Sequence, residues 1–189
     1  MKIKMFMCIA LLFVACENDS VSSNYTDSNN TSWVFIANEG IYDWSGPTNT
    51  GTITMVDSFG NIIETGSLGD IVQALEVYDN KLIVSVNNSQ KILVFDISYE
   101  GISNMQEIST NGLSPREISI VNDKAYITFW DSDFNIYPYE SGYVKVLDLN
   151  SNEFEDIEIQ VGIMPEGMAY YSNFLWVANS GDSSVSKID

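Results

Sequence analysis

The sequence predicts an all-β protein of the β-propeller type, built of four-stranded antiparallel blades, with about four blades present as a partial ring. Two observations predict this fold. Short β-rich segments alternate with turn residues after position 31, and no segment there keeps a helical period. A unit of similar sequence also restarts at Gly69, Gly112 and Gly162, with spacings of 43 and 50 residues. Repeats of about 40 to 50 residues with about four strands are typical of propeller blades.

Each repeat contains a predicted hairpin. Its second strand is a β-rich run, at 34–37, 82–86, 125–129 and 175–178. Turn residues precede three of these runs: Asp79 with Asn80, Asn122 with Asp123, and Ser172 with Asn173. An asparagine recurs after this strand as Asn38, Asn87 and Asn179, and such recurrence favours a structural role.

A third strand in each copy ends in aspartate. We expect three of these residues to cap the turns that follow them: Asp57, Asp96 and Asp148. The repeats span about 32–68, 69–111, 112–161 and 162–189. The first copy lacks its innermost strand, and the fourth stops at its third strand. This favours a truncated part of a larger ring, and the alternative is a small propeller closed by strand exchange between its ends.

The N-terminus predicts export. Lys2 and Lys4 precede an apolar run at 5–15, which is too short to span a bilayer as a helix and fits a signal peptide over 1–15. The run ends in an alanine before Cys16 and resembles the lipobox of bacterial lipoproteins, which implies lipidation of Cys16. An ordinary secretory signal is the alternative. The polar segment 16–31 is predicted to be a flexible tether.

Composition excludes several functions. The chain has no histidine, and its two cysteines lie in the signal peptide and at the lipidation position, so zinc sites and Ser-His-Asp triads are not expected. Its 26 acidic and 8 basic residues give a net charge of −18. Nucleic acid is therefore excluded as a partner, because the phosphate backbone would be repelled.

Short motifs identify a family resemblance. They lie at 35–40, 68–70, 86–89, 114–116, 165–167 and 178–181. In order and spacing they resemble the YVTN-type repeat and, more closely, the YncE-like β-propeller surface lipoproteins of Bacteroidetes. The resemblance implies a seven-bladed fold, of which this chain carries about half, and an outer-membrane location facing the periplasm or the cell surface. Some members of that group capture cobalamin and pass it to an outer-membrane transporter.

Candidate ligand-binding residues lie on loops that we expect at one end of the blades. They are Asn38, Glu39, Tyr42, Trp44, Asn87, Arg116, Trp130, Tyr137, Tyr139, Glu166 and Asn179. Aromatic faces beside amides suit a sugar or a flat polar cofactor. The alternative is that these aromatic side chains pack the long loops against their own blades.

One loop matches part of a calcium-binding pattern. Asp131, Asp133 and Asn135 alternate as calcium ligands do, but the glycine and glutamate of a calcium loop are missing, and an acidic solvated loop is the alternative. No other cofactor is predicted.

Three functions remain open. The first is a non-catalytic surface module that binds a small molecule, cobalamin-like or glycan, or supports an outer-membrane transporter. The second is a protein-interaction propeller without a small ligand. The third is a calcium-dependent, lactonase-like hydrolase that would use Glu76, Glu117 and Glu166. No catalytic residue is marked out by the sequence.

Overall fold

The structure is a computed structural model that describes residues 32–41, 43, 45–130 and 138–189. The predicted signal peptide at 1–15 and the tether at 16–31, including Cys16, lie outside the described residues.

The described residues form fourteen β-strands and no helix, which confirms the all-β prediction. Sheet 1 consists of β1 (Trp33–Asn38), β2 (Thr52–Asp57) and β3 (Ile62–Glu64). Sheet 2 consists of β4 (Val72–Tyr78), β5 (Lys81–Val86), β6 (Lys91–Ser98) and β7 (Gly101–Ser109). Sheet 3 consists of β8 (Ser114–Val121), β9 (Lys124–Trp130), β10 (Ser141–Asp148) and β11 (Glu153–Ile163). Sheet 4 consists of β12 (Pro165–Tyr171), β13 (Phe174–Asn179) and β14 (Ser184–Ile188).

Every sheet is an antiparallel meander whose strands pair in chain order. β11 continues to Ile163, past the start of the fourth predicted repeat at 162. In the part of the chain that the structure describes, no helix has the length and hydrophobicity needed to cross a bilayer.

The predicted turns close the hairpins of sheets 2, 3 and 4. Asp79 and Asn122 have φ of 50° and 54°, and Ser172 and Asn173 have 55° and 66°. Tight hairpin turns need such left-handed residues, because only these match the twist of the strands, and Asn and Asp tolerate them well.

The capping prediction is correct for two of the three aspartates. Asp57 accepts hydrogen bonds from the backbone N–H groups of Phe59 and Asn61, both at 2.8 Å. Asp148 accepts hydrogen bonds from the backbone N–H groups of Asn150 and Ser151, at 2.8 and 3.2 Å. Asp96 differs, since its carboxylate accepts from the side chain of Asn104 on β7 at 2.9 Å.

Sheets 1, 2 and 3 each pack one face on the next sheet along the chain. We call this the forward face of a sheet and the opposite one its rear face; the forward face of sheet 4 is the one turned away from sheet 3. Side chains alternate between the two faces along every strand, so each strand contributes to both. Three hydrophobic clusters result, combining forward and rear residues: Trp33 and Phe35 with Leu82 and Val84; Ile83 and Val94 with Ile127 and Leu147; Tyr126 and Val144 with Leu175 and Val177.

The first strands of sheets 2, 3 and 4 lie side by side: β4 contacts β8, and β8 contacts β12. Two buried hydroxyl groups join them. Ser85 Oγ accepts from the N–H of Ala74 at 3.0 Å and donates to the carbonyl of Arg116 in the next sheet at 2.7 Å. Thr128 Oγ1 likewise accepts from the N–H of Glu117 at 3.0 Å. It donates to the carbonyl of Glu166 in the next sheet at 3.2 Å.

Candidate functional site

The loops after the second strands meet the junctions between sheets at one end of the molecule. Asn87, after β5, donates from Nδ2 to the carbonyl of Pro115 at 2.9 Å, which ties the loop of sheet 2 to the start of sheet 3. Asp182, after β13, accepts from the N–H of Ile163 at 3.0 Å. Because loops on a rigid sheet scaffold are where binding usually occurs, this end is the candidate site.

Asp70 anchors the long loop between β1 and β2. Its carboxylate is almost fully buried and accepts from the N–H and hydroxyl of Thr48, at 3.3 and 3.1 Å, and from Asn88 Nδ2 at 3.0 Å. Burial opposes ionisation, but the hydrogen bonds from Asn88, Thr48 and Asn49 outweigh it, so the pKa of Asp70 is lowered. The loops of sheets 1 and 2 are thereby joined through one charged side chain.

Asn38 and Asn179 occupy equivalent positions, but Asn87 does not. Asn38 pairs with the first residue of β2, and Asn179 with the first residue of β14. The residue that pairs with the first residue of β6 is Val86, so the alignment of Asn87 with Asn179 was wrong by one residue.

The equivalent pair makes equivalent contacts. Asn38 Nδ2 donates to the hydroxyls of Thr52 and Thr54, at 3.1 and 2.9 Å. Asn179 Nδ2 donates to the hydroxyls of Ser184 and Ser186, at 2.9 and 3.0 Å. Both amides therefore link the strand that they end to the next strand along the chain, which is a structural role.

The structure brings together three predicted site residues, which we call the Arg116 cluster: Arg116 on β8, Trp130 at the end of β9 and Glu166 on β12. Arg116 forms a bidentate ion pair with Glu166, Nε to Oε2 at 3.1 Å and Nη2 to Oε1 at 2.9 Å. Its Cζ lies 4.2 Å from the centre of the Trp130 ring. The guanidinium is thus fixed by a carboxylate at its edge and by an indole on its face.

The Arg116 cluster lies at the loop end of sheets 3 and 4. Trp130 is the last residue of β9 and precedes the long third loop, and Glu166 follows the junction between β11 and β12. Arg116 and Glu166 occupy the same position in successive first strands, each at a bulge in the pairing. Bulges re-aim side chains, so both charged groups can reach across the boundary between the sheets.

The structure also describes three predicted residues on other parts of the loops. Asn87 is buried at the boundary between sheets 2 and 3, whereas Glu39 and Tyr139 are exposed on their loops. Six predicted residues lie outside the described residues: Tyr42, Trp44, Asp131, Asp133, Asn135 and Tyr137.

Two carboxylates approach each other on the first strands. Glu76 on β4 is half-buried, and burial together with repulsion from Glu117 on β8 raises its pKa. Within the described ranges, no group of three or more Asp, Glu, Cys or His side chains is arranged to hold a metal ion. Glu166, the third carboxylate considered for hydrolysis, is instead paired with Arg116.

Sequence reasoning missed Asp70 as a site residue, and it also missed the two bridging hydroxyls. Asp70 lies in a motif that carries the family resemblance, so its presence there was the available signal. Ser85 and Thr128 recur at one position of aligned copies, but a recurring hydroxyl in a strand also fits ordinary β propensity.

No protein-family model matches the chain, and a search of curated proteins finds no significant match.

Proposed function

We propose that the four sheets are consecutive blades of a β-propeller and that the protein is a lipid-anchored surface module, not an enzyme, which binds a small neutral polar ligand. Three features support the blade arrangement: the meander order of every sheet, the adjacent first strands, and the repeated packing of a forward face on a rear face. The resemblance of the Cys16 segment to a lipobox supports outer-membrane anchoring, and the chain is then a YncE-like surface lipoprotein.

The Arg116 cluster is the observation that carries the binding proposal. Among the described contacts, Glu166 uses two of the five N–H donors of the guanidinium, so the others can donate to ligand oxygens. The ion pair and the indole fix the guanidinium before a ligand arrives, which reduces the entropy lost on binding.

Charge narrows the ligand class. The net charge of −18 repels anions over the surface of the protein, so a neutral ligand rich in hydroxyl groups is favoured over a phosphorylated one. A short glycan has such hydroxyl groups and an apolar ring face for an indole. A cobalamin-like molecule, implied by the resemblance, is the competing ligand.

A ligand panel tests the proposal. Thermal unfolding of the full chain is followed with short neutral glycans, cobalamins, haem and calcium. We expect glycans to raise the midpoint in a dose-dependent way, because ligand that binds only the folded state stabilises it. Trp130→Ala and Arg116→Gln should weaken binding by about tenfold or more, as expected when one well-placed contact is lost.

Matched variants control for indirect effects. Phe59→Ala removes an exposed aromatic ring in the turn after β2, and Lys91→Gln removes a cation from the ion pair with Glu107. Both should bind as the wild type does. The glycan proposal is wrong if no glycan shifts the midpoint, and a shift by cobalamin alone would assign the site to that ligand instead.

A further inference from the structure

Two faces of the sheet array remain uncovered among the described residues. Val34 and Ile36, on the rear face of sheet 1, are 60% and 45% exposed, whereas the equivalent Leu82 and Val84 of sheet 2 are fully buried. On the forward face of sheet 4, Trp176 is 37% exposed. Its equivalent in sheet 2, Ile83, is fully buried.

These two faces are the two halves of one interface that the molecule already contains three times. Sheets 1 and 2, 2 and 3, and 3 and 4 all join a forward face to a rear face. Among the residues that the structure describes, the forward face of sheet 4 has no rear face against it, and the rear face of sheet 1 has no forward face against it. We propose that the forward face of sheet 4 binds the rear face of sheet 1 in a second copy of this chain.

The side chains on the two faces suit this contact. Those of sheet 4 are large and partly aromatic: Tyr171, Phe174, Trp176 and Val185. Those of sheet 1 are aliphatic: Val34, Ile36, Val56 and Ile62. The same combination packs between sheets 3 and 4, where Tyr126 meets Leu175 and Val177. Large exposed apolar patches mark interaction surfaces, because their burial is favourable.

Charge does not oppose the contact in spite of the net charge of −18. On the forward face of sheet 4, the charged side chain on the strands is Lys187. Its Nζ lies 3.3 Å from the centre of the Phe174 ring. On the rear face of sheet 1, the charged side chain on the strands is Glu64. The two faces therefore bring opposite charges to the interface, whereas pairing either face with its own copy would bring like charges together.

Two blocking variants test the proposal on the full chain, purified in a mild detergent that disperses any lipid-anchored form. Ile36→Lys blocks the rear face of sheet 1, and Trp176→Lys blocks the forward face of sheet 4. Mass is measured by analytical ultracentrifugation at about 100 µM, where micromolar affinity would populate the complex. We expect the wild type to associate, each variant alone to be monomeric, and an equimolar mixture of the two to form a 1:1 dimer.

The mixture is the decisive sample, because only a contact between unlike faces leaves one intact pair of faces in it. Met105→Lys, which places a lysine at an exposed apolar position on β7, is the matched control and should associate as the wild type does. Circular dichroism checks folding, and Val34→Lys and Val185→Lys replace any blocking variant that does not fold.

A monomeric wild type would overturn the proposal. So would association of either variant alone, which would mean that like faces pair, or a mixture that stays monomeric. Loss of glycan binding without loss of association, or the reverse, would separate this proposal from the proposed ligand site.

Discussion

At the residue scale, polar side chains at the loop end differ in the contacts that they make. Asn38, Asn87 and Asn179 looked alike in sequence, yet each is committed to hydrogen bonds that hold strands or sheets together. Asp70, which lies in a family motif but was not predicted as a site residue, joins two loops. Arg116 was predictable because it is the only arginine, but its partners were not, since Glu166 is 50 residues away and belongs to another sheet.

The ionisation of Asp70 gives a prediction for acid stability. Its folded pKa is lowered, so its hydrogen bonds contribute fully above the unfolded pKa of an aspartate, and this stabilisation is lost as pH falls through the folded pKa. Asp70→Asn should lower the free energy of unfolding at pH 7 by about 1–3 kcal/mol, the loss expected for hydrogen bonds to a buried charged group.

Urea unfolding between pH 7 and acid pH measures this effect. The difference between Asp70→Asn and the wild type should shrink as the pH falls, because protonation removes the charge from the wild type as well. Asp156→Asn, at an exposed position on β11, is the control. A difference that stays constant with pH would show that Asp70 does not act through its charge.

At the scale of the element, hairpins were predictable and register was not. Turn residues at Asp79, Asn122 and Ser172 mark the hairpins locally, and the structure has left-handed residues at each turn. The copy at 167–179 has one residue fewer than the copy at 74–87. Because both copies end in Asn, aligning them by that residue hides the difference in length. A shift of one residue moves a side chain to the other face of a sheet, so the expected equivalence of Asn87 and Asn179 failed.

The bridging hydroxyls give a prediction at the same scale. Thr128→Val keeps the shape of the side chain but leaves the N–H of Glu117 and the carbonyl of Glu166 without this partner. Each lost hydroxyl should cost about 1–3 kcal/mol of unfolding free energy, since buried backbone groups are left unsatisfied. Ser85→Ala should act similarly between sheets 2 and 3.

Chemical denaturation measures both costs. Ser58→Ala, at an exposed position in the turn after β2, is the control and should change the unfolding free energy by less than about 0.5 kcal/mol. A cost for Thr128→Val no larger than the control would mean that this hydroxyl does not join sheets 3 and 4.

At the scale of the whole molecule, the sequence repeats predicted the succession of antiparallel sheets and left the ligand open. Recurring apolar strands predicted an array of sheets, because each sheet needs a neighbour to cover its apolar faces. The proposed ligand site rests on side chains that do not recur, above all Arg116 and Trp130, and on how the fold brings Glu166 to them.

We propose that a neutral glycan binds beside the Arg116 cluster, and the fluorescence emission of Trp130 measures this binding directly. The full chain is titrated with short neutral glycans, together with Trp130→Phe, which keeps an aromatic ring beside Arg116 but removes the indole. We predict a saturable change in emission for the wild type. In Trp130→Phe this change should disappear, because the emission of the other three tryptophans should not change on binding. An emission that no glycan changes, or a change that persists in Trp130→Phe, would contradict the claim.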